Sequence, residues 1–328
     1  MIAALAPYLL ALAIGCAASW FLIQGRGHTP HVQGAAFQAD PRLIARQRHQ
    51  RIMKTVLVVG SSVSGLFLVV MLWQIIGAGW DSLARPTFWT NTYRYLSVLN
   101  GTGGLLDSIY ATFITLIITL LFAVPVGTAA GIYLQEYSSK GRFFRIVEAS
   151  VANLAAVPSI VFGLFGLAVF VGLLGLGASY IAAGFTLGTL ILPMLIVSTQ
   201  EALKNVPQSI RHASDALGAS KWQTIRSHVL PYALPNILTG QILALSRAAG
   251  ETAPLIALGI PLLQTQFEFG PFGSGSPLQL RAFYLAGDPN QNAIALAGGA
   301  VLLLMLLTLL LNAAAIVLRE RIQRRIKW

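Results

Sequence analysis

Residues 149–200 read ASVANLAAVPSIVFGLFGLAVFVGLLGLGASYIAAGFTLGTLILPMLIVSTQ and contain no Asp, Glu, Lys or Arg. A helix that spans a bilayer needs about 20 apolar residues, so this uncharged run is too long for a single crossing. The Gly-rich turn at 172–179 divides it into two predicted spans, 150–174 and 178–199. The stretch therefore predicts a chain whose solvent is lipid rather than water.

The composition of the whole chain agrees with that of this stretch. Hydrophobic residues make up 55% of the 328 and charged residues 10%, and the mean hydropathy is +0.70. Soluble globular domains carry about 25% charged residues, and disordered chains are far less apolar. We predict an all-α, polytopic transmembrane helix bundle. Seven stretches are long enough to span: 1–23, 55–79, 108–134, 150–174, 178–199, 235–260 and 292–318.

Lys and Arg are distributed unevenly between the loops. Alternate segments hold 18 of the 22, namely 24–54, 135–146, 200–233 and the tail from 319. The other loops hold only Arg85, Arg94 and Arg281, while Arg247 lies inside a predicted span. Basic loops remain in the cytoplasm, so the C-terminus is expected inside and, with seven spans, the N-terminus outside. The net charge of +11 then follows from topology and does not indicate nucleic-acid binding.

The first predicted span, 1–23, admits two interpretations. Residues 12–16 loosely imitate a lipoprotein cleavage site, and a cleaved signal peptide is also conceivable. However, a signal peptide requires basic residues before its apolar core, and no Lys or Arg precedes this one. The segment 24–54 that follows is also so basic that its export is not expected. We therefore expect an uncleaved anchor, with Cys16 an ordinary small residue.

Small residues and prolines recur within the spans. The glycine pairs at 127 and 131, and at 184 and 188, have the spacing that lets helices approach closely in lipid. Pro125, Pro158 and Pro193 lie inside predicted spans and are expected to kink them. Bundle packing accounts for these residues; hinges for alternating access are the more specific alternative.

Residues 200–233 form the longest polar stretch between spans on the predicted cytoplasmic side. We predict a helix from Pro207 to Leu217, a break at Gly218, and a second helix from Ser220 that stops before Pro231. Glycine just past a helix end is a common C-cap. Such a helix–turn–helix is a surface that a permease would offer to a nucleotide-driven partner.

This stretch resembles the coupling loop of bacterial ABC importer permeases. Their pattern is Glu-Ala-Ala, three residues, Gly, nine residues, Ile, one residue, Leu-Pro. The matching positions are Ala213, Gly218, Leu230 and Pro231, and the departures are His212 for Glu, Ser214 for Ala and His228 for Ile. The resemblance implies contact with an ATPase subunit through Ala213, Asp215, Ala216, Gly218, Leu230 and Pro231.

Three other stretches narrow the resemblance to the PstA-type permeases of phosphate importers. They are RAAGETAPL at 247–255, PVGTAAGIYLQEY at 125–137 and NLAAVPSIVFGLF at 153–165. The resemblance covers about 55–328 and implies a six-span ABC importer permease core, to which 1–54 adds an extra N-terminal span and a basic linker. It implies phosphate import across the bacterial cytoplasmic membrane. The implied partners are a second, PstC-type permease, a PstB-type ATP-binding dimer and an extracytoplasmic, PstS-type phosphate-binding protein.

Arg247 and Glu251 are charged residues inside a predicted span. An Arg at the centre of a span costs about 2.5–3.5 kcal/mol on insertion scales, and residues four apart share a helical face. One interpretation is a structural ion pair that neutralises itself. In the other, Arg247 attracts an oxyanion through its planar fork, Glu251 holds the anion or limits its affinity, and Thr252 adds a hydroxyl donor.

Other function classes find less support in the residues. The chain has no Gly-x-x-x-x-Gly-Lys-Ser/Thr pattern, so ATP hydrolysis is expected in a separate subunit. No catalytic residue, metal site or cofactor is predicted, which disfavours an intramembrane enzyme. An ion-coupled secondary transporter usually has several buried carboxylates, and a simple anchor needs no buried charge. Sulfate or phosphonate would satisfy the same Arg247.

Overall fold

The computed structural model describes residues 41–139, 141–261 and 268–325, so the predicted first span lies outside the described residues. The described part is helical and contains no strand. The helices are α1 (Pro41–Ala84), α2 (Pro86–Thr90), α3 (Tyr95–Leu99), α4 (Leu106–Ile132), α5 (Arg142–Ala155), α6 (Ser159–Gly166), α7 (Tyr180–Lys204), α8 (Gln208–Ala216), α9 (Lys221–Thr224), α10 (Leu230–Gly250), α11 (Ala253–Ala257), α12 (Leu278–Ala286) and α13 (Gln291–Arg325).

Three of these helices continue into π-helical turns, in which the backbone is wound more widely than in an α-helix. Tyr133–Tyr137 follows α4, Leu167–Leu173 follows α6, and Ile225–Val229 joins α9 to α10. Turns of this kind are rare and occur frequently at functional sites. One of the three, Ile225–Val229, lies within the predicted coupling loop.

The chain divides into two compact units, one ending at Gly77 and the other beginning at Ala78. In the first unit, most apolar side chains of α1 from Ile52 to Ile76 are exposed, and none of them is buried. A helix that is apolar all round lies either in a protein core or in lipid. This part of α1 therefore has the surface of a lipid-facing span.

Five helical segments are long and apolar enough to cross a membrane, and a sixth crossing exists if a bent pair counts as one span. The five are Ile52–Ala84, Leu106–Tyr137, Tyr180–Lys204, Lys221–Gly250 and Gln291–Arg321. They correspond to five of the seven predicted spans. The predicted polytopic helix bundle is confirmed for the described residues.

The predicted span 150–174 is not a straight helix. Its residues form α5 and α6, which meet at an angle of 103°. Pro158 is the N-cap residue just before α6. It has no amide hydrogen for the preceding turn, and proline disfavours the helical conformation in the residue before it. Proline at this point therefore turns the chain sharply instead of kinking a continuous span.

The predicted helix stop before Pro231 was wrong. The helix that begins at Lys221 passes through the π turn Ile225–Val229 and runs on to Gly250. Proline clashes with the carbonyl group four residues before it in a regular helix, and we attribute the tolerance of Pro231 to the wider turn that precedes it. The predicted span 235–260 is also shorter than expected, because its helix ends at Gly250.

Helices α4 and α7 pack closely along a seam of glycines. A Cβ atom on Gly127 would lie 2.7 Å from Leu195, and one on Gly131 would lie 2.6 Å from Thr199. Gly184 and Gly188 of α7 meet α4 in the same way. Real Cβ atoms do not approach this closely, so only glycine permits this separation. The predicted small-residue packing is confirmed for these two helices.

The buried face of α4 carries hydroxyl side chains at helical spacing: Ser108, Thr112, Thr115 and Thr119. The hydroxyl of Thr112 donates to the Ser108 carbonyl at 2.8 Å, and that of Thr119 donates to the Thr115 carbonyl at 2.8 Å. Two of these polar groups are thus satisfied within α4 itself. The helix can bury them without a polar partner from elsewhere.

Candidate functional site

Arg247 lies in the last turn of α10, and its side chain is 58% exposed in this single chain. It lines a small cavity of about 30 Å³ together with Pro193 and Met194, in the middle of α7, and with Val157 and Ser159 at the bend between α5 and α6. The guanidinium group therefore lies beside the middle of α7. It is also beside the sharp turn at Pro158.

Glu251 pairs with Arg247, but the two residues are not on one continuous helix. The Arg247 Nε atom lies 3.2 Å from the Glu251 Oε1 atom, and the Glu251 side chain is 19% exposed. Glu251 follows the end of α10 in extended conformation, and its amide donates to the Ala248 carbonyl. Thr252, half-buried, precedes the short helix α11. The structure thus brings Arg247, Glu251 and Thr252 together at a break in the helix.

The break at Gly250–Thr252 has a physical consequence for a chain in lipid. Backbone that leaves the helical conformation at membrane depth is tolerated only inside protein or beside a water-filled cavity. After the break, α11 packs on α6, where the Gly163 backbone contacts Pro254. The exposed Arg247 side chain and the broken helix together favour a polar, solvated environment on this side of the bundle.

The predicted coupling loop forms a helical hairpin, residues 208–229. Gly218 turns the chain with φ +76°, a conformation that favours glycine. Ser220 then caps α9 in a reciprocal arrangement with Gln223. A groove of about 640 Å³ runs along α8 and the start of α10. Its lining includes Ala213 and Pro231 together with His228.

The predicted coupling residues divide into two groups. Ala213, Asp215, Ala216, Gly218 and Pro231 are exposed on the hairpin or its groove. Leu230 instead packs against the buried cluster that contains Leu203 and Val229, so it supports the hairpin from inside. Sequence reasoning missed Leu217 and Trp222, which are 90% and 56% exposed at the tip. The apolar character of both residues in a polar loop is the signal that could have identified them.

Two departures from the usual coupling pattern have different surroundings. Ser214 is buried, and its hydroxyl lies 2.9 Å from the Thr224 hydroxyl, which links α8 to α9. The alanine usual at this position could not form that bond. His212 is exposed to solvent. A Glu at position 212 would therefore be equally accommodated by this chain.

Sequence reasoning also missed a buried ion pair outside the predicted spans. Arg281 of α12 is 2% exposed, and its Nη2 atom lies 3.6 Å from the Asp107 Oδ2 atom at the start of α4. The Arg281 Nε atom donates to the Ser108 hydroxyl at 3.3 Å, and the guanidinium carbon lies 3.8 Å from the centre of the Tyr93 ring. Asp107 also accepts the Tyr93 amide at 3.0 Å. These contacts join α12 to α4 and to the segment before it.

Burial affects the ionisation of the residues in this cluster. It lowers the pKa of the Arg281 guanidinium from its ordinary value, and the neighbouring Asp107 carboxylate opposes that shift. Burial also raises the pKa of the Tyr93 phenol. Arginine remains charged under these conditions, so the cluster holds a buried positive charge whose neutralisation depends on Asp107.

Residues 123–328 match the family described as "Binding-protein-dependent transport system inner membrane component". This region contains the Arg247 break and the coupling hairpin. The inward-facing structure of the MetNI methionine ABC transporter has a similar fold, with a TM-score of 0.54, 20% identity, and coverage of 66% of this chain and 94% of that chain.

The chain is also similar to curated permeases. The phosphate transport system permease protein PstA 1 of Mycobacterium tuberculosis is 36% identical over 217 residues, which cover 66% of this chain and 70% of the relative. The probable ABC transporter permease protein YqgI of Bacillus subtilis is 33% identical, with coverage of 68% and 74%. The PstA protein of Haemophilus influenzae is 32% identical, with coverage of 66% and 74%.

Proposed function

Because the chain belongs to the family of binding-protein-dependent transport system inner membrane components, we propose that it is the permease subunit of an ATP-driven importer of inorganic phosphate. The similarity to phosphate transport permeases over two thirds of the chain supports phosphate as the transported anion. The structural observation that carries the proposal is the broken helix at Gly250–Thr252. It lies beside the exposed Arg247 cation, which shares a cavity with residues from the middle of α7.

Arg247, Glu251 and Thr252 have distinct roles in this proposal. The Arg247 fork donates two hydrogen bonds to phosphate oxygens, which a point charge cannot do. Glu251 competes for the same guanidinium and so prevents the anion from binding too tightly to leave. Thr252 supplies a hydroxyl donor. Sulfate or phosphonate offers similar oxygens and is the alternative cargo.

The proposed importer needs further subunits. An ATPase dimer of the PstB type docks on the coupling hairpin, a PstC-type permease completes the pathway, and a PstS-type protein delivers phosphate from outside. Residues 55–328 form the permease core, and 1–54 add a span and a cytoplasmic linker. The exposed Leu217 and Trp222 side chains at the hairpin tip give the ATPase an apolar contact.

Uptake of labelled phosphate tests this function directly. A strain that lacks the chain should lose high-affinity uptake, and the wild-type gene should restore it. An excess of unlabelled phosphate should compete, whereas sulfate should not. If the wild-type gene restores uptake of sulfate and not of phosphate, the cargo is sulfate. Normal phosphate uptake in the deleted strain would reject the proposal.

Membrane topology is the next prediction. The bias of basic residues places 24–54 and 319–328 in the cytoplasm and 263–291 outside. In a Cys16→Ser background, an impermeant thiol reagent should label Phe272→Cys in intact cells and should label Asn205→Cys only after lysis. Both positions are exposed. Labelling of position 205, but not of 272, in intact cells would invert the orientation.

Docking at the coupling hairpin is tested at Gly218. A Cβ atom there would meet nothing within 4 Å in this chain, but the positive φ of +76° strains any residue other than glycine. Gly218→Asp should therefore cost about 1–2 kcal/mol of stability, and transport is normalised to membrane abundance. We expect it to abolish phosphate uptake, because a charged side chain would block close approach of the ATPase. Transport, ATP hydrolysis and membrane abundance are measured together.

Gly175→Asp is the matched control for Gly218→Asp. Gly175 has a similar backbone angle, φ +64°, and equally open surroundings, but lies at the opposite end of α7 from the hairpin. It should transport normally. Normal transport by Gly218→Asp would reject docking at this turn. His212→Glu, which restores the usual family residue at an exposed position, should be tolerated.

A further inference from the structure

The π turn that ends α4 contacts the coupling hairpin through its side chains. The turn Tyr133–Tyr137 is closed by Ser138, the residue that follows it. The Ser138 amide donates to the Tyr133 carbonyl, five residues earlier, at 3.0 Å. This widened turn follows directly on α4, the helix that shares the glycine seam with α7. Side chains of the π turn therefore extend from the membrane core to the hairpin.

Glu136 of the π turn forms an ion pair with Arg211 of α8. The Arg211 Nη1 atom lies 2.8 Å from Oε1 and 2.6 Å from Oε2 of Glu136. The two side chains are only 16% and 7% exposed, with Arg211 the more exposed. The Arg211 Nη2 atom also donates to the Leu203 carbonyl, at 3.0 Å, in the last turn of α7. One guanidinium thus connects α8 to both partners of the glycine seam.

Tyr137 provides a contact with the other helix of the hairpin. The Lys221 ammonium group of α9 lies over the Tyr137 ring, 5.4 Å from its centre. Cation–π contacts of this kind are attractive within about 6 Å. Two adjacent residues of this π turn, Glu136 and Tyr137, therefore contact α8 and α9. The hydroxyl groups of Ser214 and Thr224 link α8 and α9 to each other.

A docking element transmits force only if it is rigidly joined to the part that must move. Exposed ion pairs contribute little to stability. The Glu136–Arg211 pair is largely shielded from water, so solvent and salt weaken it less. From these contacts we propose that the π turn Tyr133–Tyr137 is a coupling clamp. It transmits movement of the hairpin to α4 and α7, with Glu136 and Arg211 as positioning residues for ATP-driven transport.

The clamp rests on the proposed function, and a transport stoichiometry tests it. Glu136→Gln and Arg211→Gln each leave a shielded charge unpaired and should lower membrane abundance in part, while the protein that remains should still co-purify with the ATPase. In reconstituted complexes, each should lower the phosphate transported per ATP hydrolysed at least about fivefold, the lower end of typical coupling between sites. ATP hydrolysis itself should continue, because the docking surface at the hairpin tip is untouched.

The reversed pair, Glu136→Arg with Arg211→Glu, separates coupling from folding. It restores opposite charges but loses the donor to the Leu203 carbonyl, so we expect partial recovery above both single variants. Glu148→Gln, at an exposed position on α5, is the matched control and should keep the wild-type ratio. Tyr137→Leu, which removes only the contact with Lys221, should lower the ratio less than Glu136→Gln does.

Two results would overturn the clamp. One is a wild-type ratio of phosphate to ATP in both single variants. The other is a reduced abundance of Glu136→Gln in which the remaining protein transports with the wild-type ratio, because the pair would then serve folding alone. If the wild-type complex does not transport phosphate, the proposed function is rejected. A comparison of ATPase rates between the wild type and the clamp variants would then still report on coupling.

Discussion

Replacing Arg247 with alanine should abolish phosphate uptake while the protein remains in the membrane. The side chain is 58% exposed in this chain, so its removal leaves little unfilled core volume. What is lost is the cation that we propose binds the anion. Arg247→Lys should retain part of the uptake, because Lys offers a charge without the bidentate fork. Uptake of labelled phosphate is normalised to membrane abundance.

A double variant distinguishes a transport role from a structural one. If the Arg247–Glu251 pair only neutralises itself, Arg247→Leu with Glu251→Leu should recover assembly and some uptake, because no unpaired charge remains. If Arg247 binds the anion, the double variant should assemble normally and transport nothing. Arg94→Ala, at an exposed position outside the hairpin and the candidate site, is the control with normal uptake. Recovered uptake in the double variant would make Arg247 a scaffold residue.

The second large effect concerns the buried Arg281–Asp107 pair. Arg281→Met should prevent assembly, because it leaves the Asp107 carboxylate buried without its counter-charge. Removal of one partner of a buried pair costs about 3–5 kcal/mol, a large part of the stability of a typical domain. Membrane abundance and the thermal unfolding midpoint in detergent measure this loss.

Asp107→Asn combined with Arg281→Met should recover much of that stability. Asn keeps the oxygen that accepts the Tyr93 amide, and the two changes together leave no buried charge. Arg94→Met removes an exposed Arg from the same region and should cost less than about 0.5 kcal/mol. Equal losses for Arg281→Met and Arg94→Met would show that the buried pair contributes nothing to stability.

The distribution of apolar residues along the chain predicted the helical class and five spans, because each segment that crosses lipid needs about 20 apolar residues. It could not show where a helix would break. Pro158 turns the chain through 103°, whereas Pro125 and Pro193 lie inside continuous helices. The difference depends on whether neighbouring helices support the backbone around each proline, which one sequence does not reveal.

The candidate site was predicted in part for a similar reason. Arg247 and Glu251 stand out in an apolar stretch, so their pairing could be expected from the sequence. The partners of Arg281 and Arg211 are far away in the sequence, and only the fold brings them together. Arg281 was assigned to an external loop because it lies between two predicted spans; in the structure Asp107 and the Tyr93 ring surround its charge instead of water.

The hydroxyl face of α4 affects how the protein can be synthesised. Helix α7, which covers this face, begins about 50 residues later, a delay of about 3–10 s at ribosomal speed. During that time α4 waits among lipid tails, where an unsatisfied hydroxyl would be costly. Thr112 and Thr119 already donate to carbonyls of their own helix. Helix α4 can thus wait in lipid for the glycine seam to close without a chaperone to shield these two side chains.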